Sequence, residues 1–201
     1  MERTDGPLPG VILAGGQGRR LGGRDKAFVS LAGRPLIEHV IERLVPQVSQ
    51  IAINANGDPA RFGSECPVLP DGIPDRPGPL AGILAAMEWA KSLHANRVVT
   101  VATDTPFLPA TLVETFREAQ LSSGAQIVMA ETSDGLHPVI GLWHTALSGS
   151  LRRSLKEGVR KVSDFTDANG AVGVALPDDA LFNINTQDDL ARAEERLASG
   201  G

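Results

Sequence analysis

The chain has 201 residues, of which 42% are hydrophobic and 21% are charged, a balance typical of a soluble globular protein. Its formal net charge of −5 argues against broad binding to nucleic acid or to an anionic membrane surface. Any site for an anion must therefore be a local basic patch within an acidic protein.

Cysteine content and hydropathy indicate a cytoplasmic protein. Cys66 is the only cysteine, so no intrachain disulfide can form, and a reducing compartment is the natural setting. No apolar run approaches the roughly 18 residues of a membrane span, and the opening MERTDGPLPG lacks the apolar stretch of a signal peptide. We expect one domain over residues 1–201, with residues 1–8 and 199–201 as loose tails.

Short apolar runs alternate along the chain with longer segments of helical periodicity. Pro35 and Pro46 suit the start and the end of the first of these helical segments. In chain order, the predicted elements are strand Val11–Ala14, helix Leu36–Val45, strand Ile51–Asn56, helix Leu80–Leu93, strand Arg97–Asp104, helix Ala110–Leu121, strand Gln126–Ala130, strands Val139–Trp143 and Val172–Leu176, and helix Gln187–Ala198.

This alternation predicts an α/β fold, a three-layer α/β/α sandwich around a mostly parallel, Rossmann-like sheet. The last two strands are expected as antiparallel additions. Ligands of such sheets bind beyond the carboxyl ends of the strands. The first three predicted strands run into a glycine-rich loop, into Asn54 and Asn56, and into Asp104. We therefore expect these polar groups to open onto one crevice.

The loop GGQGRRLGGRDK, residues 15–26, places glycines beside cations directly after the first strand. Such a turn lets backbone N–H groups approach phosphate oxygens while basic side chains complete an anion site. It is not a P-loop, because Lys26 follows Asp25 and no Ser or Thr comes next. The dinucleotide fingerprint fits Gly16 and Gly18, but Leu21 stands where its third glycine belongs. The alternative is a solvated flexible loop.

Asp104 ends a predicted strand and is followed by Thr105 and Pro106. Its carboxylate would project into the crevice, where a hard cation such as Mg²⁺ accepts oxygen ligands and bridges nucleotide phosphates. A turn or helix-capping role is the alternative. Asn183 and Asn185, predicted at a second strand end, could complete the same metal and phosphate site, or could simply cap the last helix.

The stretch PDGIPDRPGPLAGI, residues 70–83, is a loop stiffened by four prolines. It contains Asp71 and Asp75. A fixed carboxylate can accept two parallel hydrogen bonds from N1–H and the exocyclic amine of guanine, a donor pair that cytosine and uracil lack. A surface turn is the alternative.

The sequence contains no obvious nucleophile or general base. No HxxxH pair or Cys/His cluster predicts zinc, and no GxSxG elbow is present; His137, before Pro138, is a candidate for the crevice wall. An attacking group that is already an anion needs neither a protein nucleophile nor a general base. Phosphate monoesters, with a second pKa of about 6, are such groups, and their attack on a triphosphate requires positioning, charge neutralisation and a metal.

As a set, these motifs resemble the nucleotidyltransferase superfamily, whose opening motif is LAGG followed by Arg, Met or Leu, Gly and Lys. Within it they are most similar to the molybdenum cofactor guanylyltransferases. LAGG instead of LAAG favours the guanylyl branch, and Leu21 stands where methionine is common. The matching segments are LAGGQGRRLGGRDK, INAN, PGPLAG, ATDTPFLP, LHPVIGLW and FNINTQDDL.

The resemblance implies Mg²⁺-dependent transfer of GMP from GTP to the phosphate of molybdopterin or its molybdenum form, with release of pyrophosphate. It also implies transient contacts with cofactor-biosynthesis or acceptor proteins. By position, the catalytic residues would be Lys26, Arg19 and Asp104. The nucleotide would also contact Leu13, Ala14, Gly15, Gly16, Asn54 and Asp71. Asp104 and Asn185 would bind the metal, and the acceptor would contact Gly22, Asn183, Asn185, Arg160 and Lys161.

Two other functions fit parts of this pattern. A cytidylyl- or sugar-1-phosphate nucleotidyltransferase would share the fold, because the fold does not choose the acceptor. Use of CTP or UTP as readily as GTP would indicate it. A non-catalytic guanine-nucleotide sensor would bind GTP and release no pyrophosphate.

Overall fold

The computed structural model describes residues 8–15, 17–18, 24–63, 65–73 and 78–199 of the chain. Within these ranges, no helix combines the length and the apolar character needed to cross a bilayer. The strands are β1 Gly10–Leu13, β2 Gln17–Gly18, β3 Arg24–Asp25, β4 Ser30–Leu31, β5 Arg34–Pro35, β6 Ile51–Asn54, β7 Val68–Leu69, β8 Arg97–Ala102, β9 Ile127–Thr132, β10 Gly135–His144 and β11 Val172–Ala175. The α-helices are α1 Leu36–Leu44, α2 Pro79–Ser92, α3 Leu112–Ser123, α4 Ser148–Lys156, α5 Val162–Ala168 and α6 Gln187–Ala198.

One large sheet organises the described residues, with the strand order β11-β9-β10-β8-β1-β6-β7. Each neighbouring pair is parallel except the two pairs that involve β10, which runs antiparallel to β8 and to β9. The mostly parallel α/β fold predicted from the sequence is confirmed. The antiparallel direction predicted for Val139–Trp143 is confirmed as well.

The antiparallel direction predicted for Val172–Leu176 is wrong. β11 pairs with β9 in parallel, because two helices that the sequence analysis missed, α4 and α5, lie between β10 and β11. This pair returns the chain to the edge of the sheet where β10 ends. In α4 only Leu151 and Leu155 provide buried large apolar side chains, which is too short a stripe for its periodicity to stand out.

Two apolar layers cover the two faces of the sheet. On one face, α1 and α3 contribute side chains such as Val40 and Phe116 to a core with Ile12 and Val101. On the other face, α2, α4 and α5 pack side chains such as Met87 against a core that contains the fully buried Trp143. The three-layer sandwich is therefore confirmed, and burial of this apolar surface is its main source of stability.

A third, smaller core lies beside the start of α1. Ile184 and Ala193, from the segment before α6 and from α6 itself, pack against Val29, Leu31 and Leu36. This core fixes the end of the chain next to the turn that follows the glycine-rich loop. Of the segments predicted as tails, Leu8 accepts a hydrogen bond from the backbone N–H of Ser49, and residues 1–7, 200 and 201 lie outside the described ranges.

The register brings the ends of three strands to one level. Leu13 in β1 pairs with Asn54 in β6 on one side and with Ala102 in β8 on the other. The backbone N–H of Ala14 donates to the carbonyl of Asn54 at 2.8 Å, and Thr103 Oγ1 donates to the carbonyl of Leu13 at 2.9 Å. The segments that follow these strands therefore start side by side at the carboxyl edge.

Candidate active site

Lys26, Asp104 and Asn185 meet at the carboxyl edge of the sheet. Lys26 Nζ donates to Asp104 Oδ2 at 2.6 Å and to Asn185 Oδ1 at 2.6 Å. The side chains of Lys26 and Asp104 are only 13% and 23% exposed, so solvent screens their attraction less than it would at the open surface. Two oxygen acceptors thus converge on a single cation.

A short 3-10 turn presents Lys26 to this cluster. The turn spans Lys26–Phe28 and is capped by Asp25, whose Oδ1 accepts from the backbone N–H of Ala27 at 3.2 Å. Ala27 is fully buried, which anchors the turn to the core. The lysine is therefore held by a capped and packed element directly after β3, which pairs with β2 in the antiparallel direction.

The backbone before α6 carries Asn185 to the lysine. Ile184 is fully buried, and its N–H donates to the carbonyl of Asp104 at 2.9 Å. Residues 182–185 form no strand, so the strand end predicted for Asn183 and Asn185 is wrong. The segment lies past the end of β8 at Ala102. Among the described residues, the bond from Ile184 to Asp104 is the one backbone hydrogen bond that links it there.

Thr186, not Asn185, caps α6. Thr186 Oγ1 accepts from the backbone N–H of Asp189 at 3.1 Å, and Asp189 Oδ2 accepts from the N–H groups of Thr186 at 2.9 Å and Asn185 at 3.0 Å. Burial opposes the charge of Asp189, but these bonds together with the Arg192 guanidinium lower the pKa of Asp189 from 3.8 to about 2. The capping box thereby frees the Asn185 amide for Lys26.

A second polar cluster follows β6. Asn54 Nδ2 donates to Asp71 Oδ1 at 3.0 Å, and Asn56 Nδ2 donates to Asp71 Oδ2 at 2.8 Å. Asn56 Oδ1 in turn accepts from the backbone N–H of Asp71 at 3.0 Å. Both carboxylate oxygens are thus oriented by amide groups, and each retains a lone pair for a further donor.

Gly82 makes room for this second cluster. A Cβ atom at Gly82 would lie 2.3 Å from Asn54 Oδ1 and 3.2 Å from Leu13 Cδ2. Asn54 is only 4% exposed and also donates to the carbonyl of Leu69 at 2.9 Å, so its amide has no free space into which to move. The glycine of PLAGI is therefore required by close packing of α2 on the strand ends.

The other predicted site residues are placed less centrally or fall outside the described ranges. Arg160 Nη1 donates to the carbonyls of Leu155 and Val159, both at 3.0 Å, and Lys161 is an exposed residue directly before α5. Asn183 is half-buried, two residues before Asn185. Gly15 follows β1 at the carboxyl edge and is exposed. The predicted roles of Gly16, Arg19, Gly22 and Asp75 fall on residues outside the described ranges.

The available metal ligands are few. Among the described residues, no group of three or more His, Cys, Asp or Glu side chains could hold a metal ion. Asp104 and Asn185 nevertheless aim two oxygens at one cationic atom, Lys26 Nζ. Mg²⁺ commonly binds through one or two protein oxygens, with waters and substrate phosphates completing its shell, so this donor set fits that ion.

The residues that support these clusters carry little signal in the sequence. Asp189 was readable in principle, because Thr-x-x-Asp before a helix is a variant of the capping box. No local sequence pattern predicts the pairing of Arg61 with Asp25, because the two residues lie far apart in the chain. His137, which the sequence predicts only as a candidate for the crevice wall, contacts the end of β9. Its Nε2 lies 2.8 Å from Thr132 Oγ1, and burial lowers its pKa despite the opposing charges of Asp134 and Asp104.

A parallel sheet with charged and amide side chains at its carboxyl edge is the architecture of nucleotide-binding α/β proteins. The chain belongs to the family described as the MobA-like NTP transferase domain, whose model matches residues 10–171. It is similar to a molybdenum cofactor guanylyltransferase of Bradyrhizobium sp., with 45% identity over 98% of this chain and 95% of that protein. A protein of the same name from Cereibacter sphaeroides is 46% identical over 94% of this chain and 97% of its own length.

A solved structure shares the fold of this chain. The crystal structure of molybdopterin-guanine dinucleotide biosynthesis protein A from Archaeoglobus fulgidus superimposes with a TM-score of 0.76 and is 27% identical. The match covers 96% of this chain and 100% of that one. The fold described above is therefore shared over nearly the whole of that solved structure.

Proposed function

We propose that this protein transfers GMP from GTP to the phosphate of molybdopterin, or of its molybdenum form, and releases pyrophosphate with the help of Mg²⁺. The relatives named molybdenum cofactor guanylyltransferase, at 41–46% identity over nearly the whole chain, support this activity. The observation that carries the proposal is the meeting of Lys26, Asp104 and Asn185 at the sheet edge beside the end of β1.

The nucleotide would lie across the ends of β1, β6 and β8. The backbone of Leu13, Ala14 and Gly15, which continues β1, would contact it together with Gly16. Asn54 and Asp71 would hold the base or ribose, because the oriented Asp71 carboxylate matches the two adjacent donors on guanine. The two polar clusters would then contact opposite ends of one nucleotide.

Lys26 would neutralise negative charge on the triphosphate, assisted by Arg19. A preorganised charge at a partly buried site stabilises charge that develops in the transition state. Asp104 and Asn185 would hold Mg²⁺, which when bound supplies charge neutralisation on the phosphates. For that, the Lys26 ammonium must leave Asp104 and Asn185 and turn toward the nucleotide.

The acceptor would attack without a general base. The phosphate of the acceptor is already anionic near neutral pH, with a second pKa of about 6. One of its oxygens would form a bond to the α-phosphorus of GTP, in line with the bond from that phosphorus to the bridging oxygen of the β-phosphate, which breaks. The electrons of that bond leave with pyrophosphate. Gly22, Asn183, Asn185, Arg160 and Lys161 are the candidates for contacts with the acceptor.

The test is incubation with GTP, Mg²⁺ and molybdopterin, with the product identified by mass and pyrophosphate measured in parallel. A guanine dinucleotide of the pterin that forms only with GTP would support the proposal. Equal use of CTP or UTP would overturn the role of Asp71 in base selection. Binding of GTP without release of pyrophosphate would overturn catalysis and indicate a sensor.

A further inference from the structure

Arg61 joins two segments that carry different halves of the proposed site. Its Nη1 lies 2.6 Å from Asp25 Oδ2, and its Nη2 donates to the backbone carbonyl of Asn56 at 2.9 Å. Asp25 directly precedes Lys26, and the side chain of Asn56 is bonded to Asp71. One guanidinium thus contacts Asp25, which precedes Lys26 in the chain, and Asn56, whose side chain is bonded to Asp71.

The turn that carries Arg61 is itself well fixed. It is a 3-10 turn over Pro59–Phe62, capped at its start by the side chain of Asp58 and ended by Gly63 with φ of +74°, a conformation that costs glycine little. The guanidinium carbon lies 4.7 Å from the ring centroid of Phe62, whose ring is 5.1 Å from that of Phe28. Arg61 is therefore held by packing as well as by pairing.

A stabilising surface ion pair is the simpler explanation, and the geometry argues for more. The side chains of Arg61 and Asp25 are 33% and 24% exposed, and pairs near the surface add little to folding stability. A planar guanidinium, however, can bind two acceptors at a fixed spacing, which a lysine cannot do. Here the two acceptors belong to the two segments that a nucleotide would bridge.

We propose that Arg61 is a positioning residue that sets the spacing between the base-binding and the phosphate-binding halves of the site. The inference rests on the proposed function, since it assumes that Asp71 and Lys26 contact the same nucleotide. With the halves in register, binding of one end of GTP presents the other end to its partners at a high effective concentration. Loosening the spacing removes this advantage and leaves each half intact.

The experiment compares the whole ligand with its parts. Affinities for GTP, guanosine and tripolyphosphate are measured in the presence of Mg²⁺ by competition with a fluorescent GTP analogue, for the wild type and Arg61→Ala. Loss of the linkage is expected to lower the affinity for GTP about tenfold, while the affinities for guanosine and for tripolyphosphate each change less than about twofold. A general loss of structure would instead weaken all three ligands.

Two further variants make the result specific. Arg61→Lys keeps a positive charge near Asp25 but lacks the planar guanidinium that binds two acceptors. Its affinity for GTP is therefore expected to stay at least about fivefold below that of the wild type. Arg34→Ala is the matched control, because Arg34 also pairs with two acceptors, Glu38 and Glu42, on the outer side of α1. It is expected to bind all three ligands as the wild type does.

The outcomes separate this inference from the proposed function. Wild-type affinity for GTP in Arg61→Ala, or an equal loss for GTP and for both parts, overturns the positioning role and leaves guanylyl transfer standing. A wild-type protein that forms the guanine dinucleotide, together with a selective loss for GTP in Arg61→Ala, supports both. A wild-type protein that binds no GTP overturns the proposed function and the inference with it.

Discussion

The ammonium of Lys26 lies 2.6 Å from the carboxylate of Asp104, although the two residues are 78 positions apart in the chain. Asn185 Oδ1 binds the same ammonium at the same distance. The lysine thus occupies the place between the two oxygens that are proposed to hold Mg²⁺. Under the proposed function, a divalent ion would compete with Lys26 for these oxygens, and a triphosphate would draw the lysine away.

Lys26→Met removes the competing charge and keeps most of the side chain's length. We expect the affinity of the nucleotide-free protein for Mn²⁺, measured by electron paramagnetic resonance, to rise about tenfold, equivalent to about 1.4 kcal/mol of lost competition. Turnover is expected to fall about 100- to 1000-fold, because a preorganised charge is lost. Lys91→Met, at a lysine bonded to Ser148 on the α2–α4 side, is the control. Unchanged turnover in Lys26→Met would remove Lys26 from the mechanism.

Asp104→Asn keeps the shape of the side chain and an oxygen for Lys26 but removes the negative charge. Turnover is expected to fall by about 100-fold or more, since the variant lacks the only carboxylate proposed to hold Mg²⁺. The melting temperature and the circular dichroism spectrum are expected to stay close to those of the wild type. Wild-type turnover in this variant, or in the wild-type protein with all divalent metal chelated, would contradict the metal role.

Gly82→Ala places a methyl group 2.3 Å from Asn54 Oδ1. Either Asn54 or α2 must shift, so the bond from Asn54 to Asp71 is disturbed. We expect a loss of about 1–3 kcal/mol of unfolding free energy and weaker binding of GTP in calorimetry. Gly149→Ala in α4 is the matched control, because its added Cβ meets nothing closer than Arg153 Nη1 at 3.9 Å. It is expected to be neutral or to stabilise by up to about 1 kcal/mol.

Asp189→Asn tests the capping box that positions Asn185. The pKa of Asp189 is lowered from 3.8 to about 2 in the folded protein, so its charged form stabilises the fold fully above pH 3.8, and this stabilisation is lost as the pH falls through 2. We expect the variant to lose about 1 kcal/mol at pH 7, and its difference from the wild type to shrink as the pH approaches 2. Chemical denaturation across this pH range measures the difference.

Asp188→Asn is the control for that measurement, because Asp188 is an exposed carboxylate in the same turn and outside the capping box. It is expected to change the unfolding free energy by less than about 0.5 kcal/mol at any of these pH values. A difference between Asp189→Asn and the wild type that stays constant down to pH 2 would contradict the charge-based account of the cap.

The sequence was most informative where periodicity and strand direction together fix a position. Parallel neighbours bring their carboxyl ends to one edge, so Asn54 and Asp104 could be assigned to a common crevice from the order of the elements alone. The contact of Lys26 with Asn185 spans 159 positions and depends on how α6 packs against the start of α1. No local pattern encodes that packing. The fork of Arg61 likewise depends on a 3-10 turn whose place only the folded chain defines.

The reversed direction of β10 has a consequence for how this molecule can diversify. β10 starts, at Gly135, on the edge where β8 ends, and it reaches that edge through a tight turn from Thr132. Its register shifts between His137 and Gly141, where Pro138 has no N–H to give to a ladder. At this point the carboxyl edge of the sheet therefore carries a hairpin tip and not a strand-to-helix connection. Residues can be inserted or deleted there without moving a helix, so this part of the edge can change in length at a small cost to folding.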